Sequence, residues 1–246
     1  MATTRASRDP QAHHHQDAVG FLAVLVVIAG LNAAVVAFGT EMDGSKAFVA
    51  TAVDQQSLMA FAFNAMLGTA LFGAIAAARE YGHGTVVPTF LTCPRRRRAV
   101  LAQLAAVLLA GAALALAGQA LMIAAVALGL RSTQYGLMVS AGDITQLLAA
   151  SALAGAIGAV LGAGLGSVIR NVGGAVTTAV LVLFVIPPMA VQLVTEAGSW
   201  IPTRLFAVIS GVTTDVSLWA ALMAMTAWAL VPAAAGLTAV QRRDVA

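Results

Sequence analysis

Six stretches of this chain, residues 19–39, 58–78, 100–130, 144–169, 172–194 and 216–240, pass from end to end without a charged residue. A helix of about 20 apolar residues rises far enough to cross the roughly 30 Å hydrocarbon core of a bilayer. Six of them use most of the 246 residues, leaving short loops and no separate soluble domain beyond about 30 residues. Composition agrees: 60% of the residues are apolar and 9% charged, against about 45–50% and about 25% in soluble domains. Too little polar material is present to cover a globule in water, which excludes an ordinary cytosolic enzyme. The expected fold class is all-α, a polytopic membrane protein with six transmembrane helices.

The charges write the topology. Cytoplasmic termini put Arg5, Arg8, Arg79, Arg95, Arg96, Arg97, Arg98, Arg170, Arg242 and Arg243 inside and only Lys46, Arg131 and Arg204 outside. Excess Lys and Arg on cytoplasmic loops is the rule for membrane proteins, so both termini are expected inside. The net charge of +3 therefore reflects loop charges and gives no reason to expect a nucleic-acid partner. The expected organisation is a polar cytoplasmic tail over residues 1–18, a membrane domain over 19–240 and a short cytoplasmic tail over 241–246. The first run follows Arg5 and Arg8 as a signal peptide would, yet it is too long for one and is read as a retained span. The single cysteine, Cys93, has no internal partner for a disulfide and reads as a small packing residue.

Three runs depart from a plain apolar rod. The third, at about 45 Å, outreaches the hydrocarbon core and must tilt or project. The fourth carries Gly158, Gly162 and Gly166 at four-residue spacing, preceded by Ser151 and Gly155; such a ridge lets another helix approach closely. The fifth meets Pro187-Pro188, whose missing N–H groups are expected to break the helix there. Residues 187–215 are then expected to be re-entrant or interfacial on the outer side, in short helices dipping into the leaflet, with Trp200 and Trp219 in an aromatic belt.

What the chain lacks is as informative. Ionisable residues inside spans mark proton relays and ion sites, and the runs hold none, which argues against an ion-driven carrier. His13, His14, His15 and His83 lie outside the runs; the first three read as a polar tail, and no metal site is expected. Neither paired acids nor a Ser/His set at one depth points to an embedded enzyme. A phosphate-binding loop needs Gly-x-x-x-x-Gly-Lys-Ser/Thr. The nearest approach begins at Gly39 and Gly44 but places Lys46, the only lysine, one position late in an acidic segment expected outside. Energy for uphill transport would have to come from another subunit.

Residues 79–98 form the one cytoplasmic loop too long for a turn, and they hold much of the inward-facing charge. Gly82 and Gly84 relax the backbone. Val86, Val87, Phe90 and Leu91 suit a short helix along the membrane face, and Pro94 suits the first turn of the third span. Arg95, Arg96, Arg97 and Arg98 oppose the helix macrodipole at that N-terminus, so attraction to anionic head groups, about 1 kcal/mol each, explains them better.

Arg79-Glu80-Tyr81 closing the second run, then Gly84-Thr85, then Pro94 with the arginines at 95–98, resembles the membrane subunit of type-2 ATP-binding-cassette transporters. That is a largely export-directed permease family; six spans, inside termini and a long stretch between the fifth and sixth spans are similar to it too. The resemblance implies two membrane subunits, identical or not, and two separate ATPase subunits, with ATP and magnesium bound on the ATPase. Glu80, Tyr81, Gly84, Thr85 and Pro94 would then shape a coupling contact with the ATPase, and the four arginines would anchor its far side to lipid. One departure is that no clear amphipathic helix precedes the first span. The family path runs between the two membrane subunits along the first, second and fifth spans. Here that would place Asn32, Phe61, Asn64, Met66, Thr177 and Thr178 along it, polar in spots and uncharged, suited to a hydrophobic or amphipathic cargo. The expectation is thus an export subunit in a bacterial cell membrane; the alternative is a non-transporting scaffold or sensor recruiting a cytosolic partner to residues 79–98.

Overall fold

A computed structural model of the chain describes residues 30–31, 33–39, 47–60, 63–82 and 96–242. The described residues are helical with no strand: α1 (Ala52–Met59), α2 (Phe63–Gly82), α3 (Arg96–Leu130), α4 (Ala141–Ile169), α5 (Val172–Leu193), α6 (Pro202–Ile209) and α7 (Leu218–Arg242). Four of these, α3, α4, α5 and α7, are long and apolar enough to cross a membrane, where six runs led us to expect six. The difference has two causes. Most of the 19–39 run lies outside the described residues, and the 58–78 run is divided between the end of α1 and α2, which itself carries Asn64, Thr69 and the Arg79-Glu80 pair.

Helix α4 is the mast of the bundle. It touches α2, α3 and α7 more extensively than these touch one another. Glycine makes this possible, because a missing Cβ lets backbones meet. On one face, added Cβ atoms at Gly158, Gly162 and Gly166 would collide with the carbonyls of Met66, Ala70 and Ala74 in α2. On a second, Gly155 meets Gly111 of α3; on a third, Gly164 meets Pro232 and Gly236 of α7. In these registers α2, α4 and α7 run one way and α3 the other. Ser140 caps α4 reciprocally with Asp143, each oxygen accepting the other residue's backbone N–H at 3.2 Å, and Thr51 with Asp54 does the same for α1.

Two expectations are corrected. Pro187-Pro188 does not end the fifth helix. Residues Leu181–Val185 widen into a π-turn in which the Ile186 N–H reaches the Leu181 carbonyl, and an α-helical segment resumes over Ile186–Leu193 with both prolines in its first turn. Proline is tolerated there because first-turn N–H groups need no intrahelical partner, and the wider turn absorbs the mismatch upstream. The following stretch does form short helices, a 3-10 segment Thr195–Trp200 and then α6, but α6 does not turn its apolar face to lipid. Leu205, Phe206, Val208 and Ile209 are buried in one core with residues of α2, α4 and α7. Trp200 and Trp219 are exposed.

Candidate functional site

The helix directions place two chemically distinct ends on the bundle. One end carries Arg79, Glu80, Arg98, Arg170 and Arg242; the other carries Asp54, Arg131, Asp143, Glu196, Arg204 and Asp215.

At the first end, the last turn of α2 is tied to the end of α4. The chain turns from α4 into α5 through just Arg170 and Asn171, with Arg170 in the left-handed conformation at φ 58° and Asn171 capping α5 through the Gly174 N–H at 3.0 Å. The Arg170 guanidinium lies over the Tyr81 ring, 4.8 Å from its centroid, and one turn back in α4 the Ser167 hydroxyl donates to the Ala163 carbonyl at 2.9 Å. Arg79, Glu80 and Tyr81 project beyond the apolar run that ends at Ala78. Partial burial raises the Tyr81 phenol above its ordinary range, more than the neighbouring Arg170 and Ser167 lower it, so the ring remains a neutral platform for the cation. Glu80 is likewise raised by desolvation.

Among the expected coupling residues, Glu80 and Tyr81 therefore stand at the foot of α2, while Gly84, Thr85, Pro94 and Arg95 lie outside the described residues. Arg96, Arg97 and Arg98 open α3, with Arg98 exposed. Of the expected path residues, Asn32 and Phe61 lie outside the described residues, and Asn64 is in the first turn of α2. Met66 is corrected: it is 1% exposed and packed against Gly158 of α4, so it lines no open path. Thr177 is exposed and Thr178 half-buried on α5. The histidines at 13–15 and 83 lie outside the described residues, and no group of three metal-ligating side chains occurs within them.

The opposite end holds a polar network that sequence reasoning missed. Gln55, fully buried, donates to the carbonyls of Val49 at 3.1 Å and Gly136 at 2.9 Å and accepts from the Met138 N–H at 2.9 Å. Gln56 and Gln146 donate to the Ser210 and Ile209 carbonyls at the end of α6, each at 3.0 Å. Deeper, Gln119 of α3 donates to the Met59 carbonyl at 2.8 Å and accepts from Ser151 of α4 at 2.8 Å. These amides satisfy carbonyls left open at helix ends and, at Gly136, in the loop between α3 and α4, and they tie that end of the bundle to α1 and α6. One signal was available: a glutamine inside an apolar run needs a partner.

Compared with known proteins, the chain matches no protein-family model and no curated protein.

Proposed function

We propose that this chain is the membrane subunit of an ATP-driven exporter, carrying a hydrophobic or amphipathic small molecule such as a drug-like compound or lipid across a bacterial cell membrane. Its six spans place both termini on the cytoplasmic side, a second permease subunit completes the path, and a separate ATPase docks on residues 79–98. The observation that carries this reading is the way α2 is bound to the mast. From Met66 to Ala74 its backbone lies against the glycine ridge of α4, and at its foot the Arg170 guanidinium at the end of α4 lies over the Tyr81 ring. A displacement applied just after Tyr81 is thereby delivered to α4 and through it to α3 and α7. The long apolar helices hold no ionisable residue between their ends that an ion gradient could drive.

Co-expression with a candidate ATPase subunit tests the proposal. The two should co-purify, the complex should hydrolyse ATP faster than the ATPase alone, and Glu80→Ala or Gly84→Val should abolish that stimulation while the fold persists. An ATPase that neither co-purifies nor responds sinks the exporter reading. Co-purification without cargo flux in vesicles makes the chain a scaffold instead.

A further inference from the structure

We propose that residues 186–200 form a strap between α5 and α7 that swings at the π-turn of α5 and is latched by Trp228. Both helices pack on α4, but few points of their backbones come near each other, and the strap bridges them at the end of the bundle away from Arg170. The two halves of α5 are held very differently. From Val172 through the π-turn the helix buries Ala175, Ala179 and Leu183, and its first segment packs on α2 and α4. Beyond the π-turn only Pro187 is buried, as far as Trp200. Ile186, Met189, Leu193 and Val194 are exposed, and the segment packs chiefly on the 3-10 turn Thr195–Trp200, with Gly198 beside Val191.

The joint between the halves is weak for a chemical reason. Pro187 and Pro188 carry no N–H, so two successive rungs of the helix ladder cannot form, just where the Ile186 N–H has already shifted to the Leu181 carbonyl. Prolines and π-turns are where helices bend. The far end of the strap is anchored, because α6 starts at Pro202, buries Leu205 and Phe206 in the core, and is held at its end by Gln56 and Gln146. Between joint and anchor, one hydrogen bond among the described residues ties the strap to the long helices: Trp228 Nε1–H donates to the Trp200 carbonyl at 3.3 Å. A segment with so little buried surface and a single tie opens more readily than the core on either side of it. Its release parts α5 from α7 at that end of the bundle. The device needs only this packing and stands whether or not an ATPase binds.

The test uses the full chain in lipid nanodiscs, with Cys93→Ser as background and spin-label pairs read by double electron–electron resonance. Leu193→Cys on the strap and Thr177→Cys on the first half of α5 are each paired with Leu137→Cys just before α4; all three positions are exposed. The strap pair should show two distances and the Thr177 pair one. Trp228→Phe keeps an aromatic ring and removes the N–H. It should raise the ratio of the open to the closed distance by about threefold, the effect of a typical hydrogen bond between membrane helices. Pro187→Ala with Pro188→Ala returns two N–H donors to the ladder and should leave the strap pair with one distance. Should that variant fail to fold, Trp228→Phe decides alone. A single strap distance in both wild type and Trp228→Phe overturns the proposal, as do two distances whose ratio Trp228→Phe leaves unchanged. If the Thr177 pair splits as well, α5 moves as a whole and the hinge at the π-turn falls; two distances persisting in a folded alanine variant reject the prolines as its cause.

Discussion

Gln119 shows what a single side chain settles in this protein. Its amide joins three helices by meeting the Met59 carbonyl at the end of α1 and the Ser151 hydroxyl of α4, all with water excluded. Replacing it with leucine keeps the volume and strands both partners. A buried unsatisfied group costs about 1–3 kcal/mol, so Gln119→Leu should lower stability in detergent by about that much, read from the unfolding midpoint. Ser151→Ala alone should cost less, since the Gln119 carbonyl oxygen loses one donor. The coupling energy from the double variant should be about 0.6 kcal/mol and no more than about 1.7, the span of measured hydrogen bonds between membrane helices. Additive costs would mean that the hydroxyl and the amide do not communicate. The sequence displayed Gln119 in the open, but its partners are 60 and 32 residues away. No local pattern names them.

At the scale of elements, the glycine ridge was legible and its partner was not. Four-residue spacing put Gly158, Gly162 and Gly166 on one helical face. Only the packed structure shows that α2 fills it and that Gly155 and Gly164 serve two further neighbours. Because Gly162 meets backbone of Ala70 and Ala74 and no flexible side chain, a methyl group there must push two helices apart. Gly162→Ala should destabilise by about 1–3 kcal/mol, the range for overpacked cores. Gly68→Ala in α2 is the matched control: a Cβ there meets nothing within 4 Å, and alanine favours helix by about 1 kcal/mol over glycine. Equal effects of the two substitutions on thermal stability would contradict the packing described for α2 and α4. The fifth helix shows the reverse case. Pro187-Pro188 correctly flagged irregular backbone, but the sequence could not tell a broken helix from one that widens into a π-turn and continues, since that depends on what holds its two halves in line.

For the whole molecule, the proposed topology makes a prediction that uses the chain's own chemistry. Cys93, the sole cysteine, falls in the 79–98 segment assigned to the cytoplasm. A membrane-impermeant maleimide should label it in inverted vesicles or permeabilised cells and leave intact cells unlabelled. A Cys93→Ser, Asp215→Cys protein should show the opposite pattern, and labelling of Cys93 in intact cells would invert the proposed topology. The sequence by itself determined that this is an all-helical chain made for a bilayer, because long uncharged runs are a property of composition and length that no folding partner can alter. It also determined where close helix contacts could form, since glycine spacing is local. Tertiary structure alone decided that α4 is the mast, that α6 buries its apolar face in protein, that Met66 is core, and that four glutamines tie one end together. The physical reason is common to these four. An apolar side chain is as well served by lipid as by a neighbouring helix, and a buried amide by any carbonyl within its reach, so which partner each meets is fixed only when the helices dock.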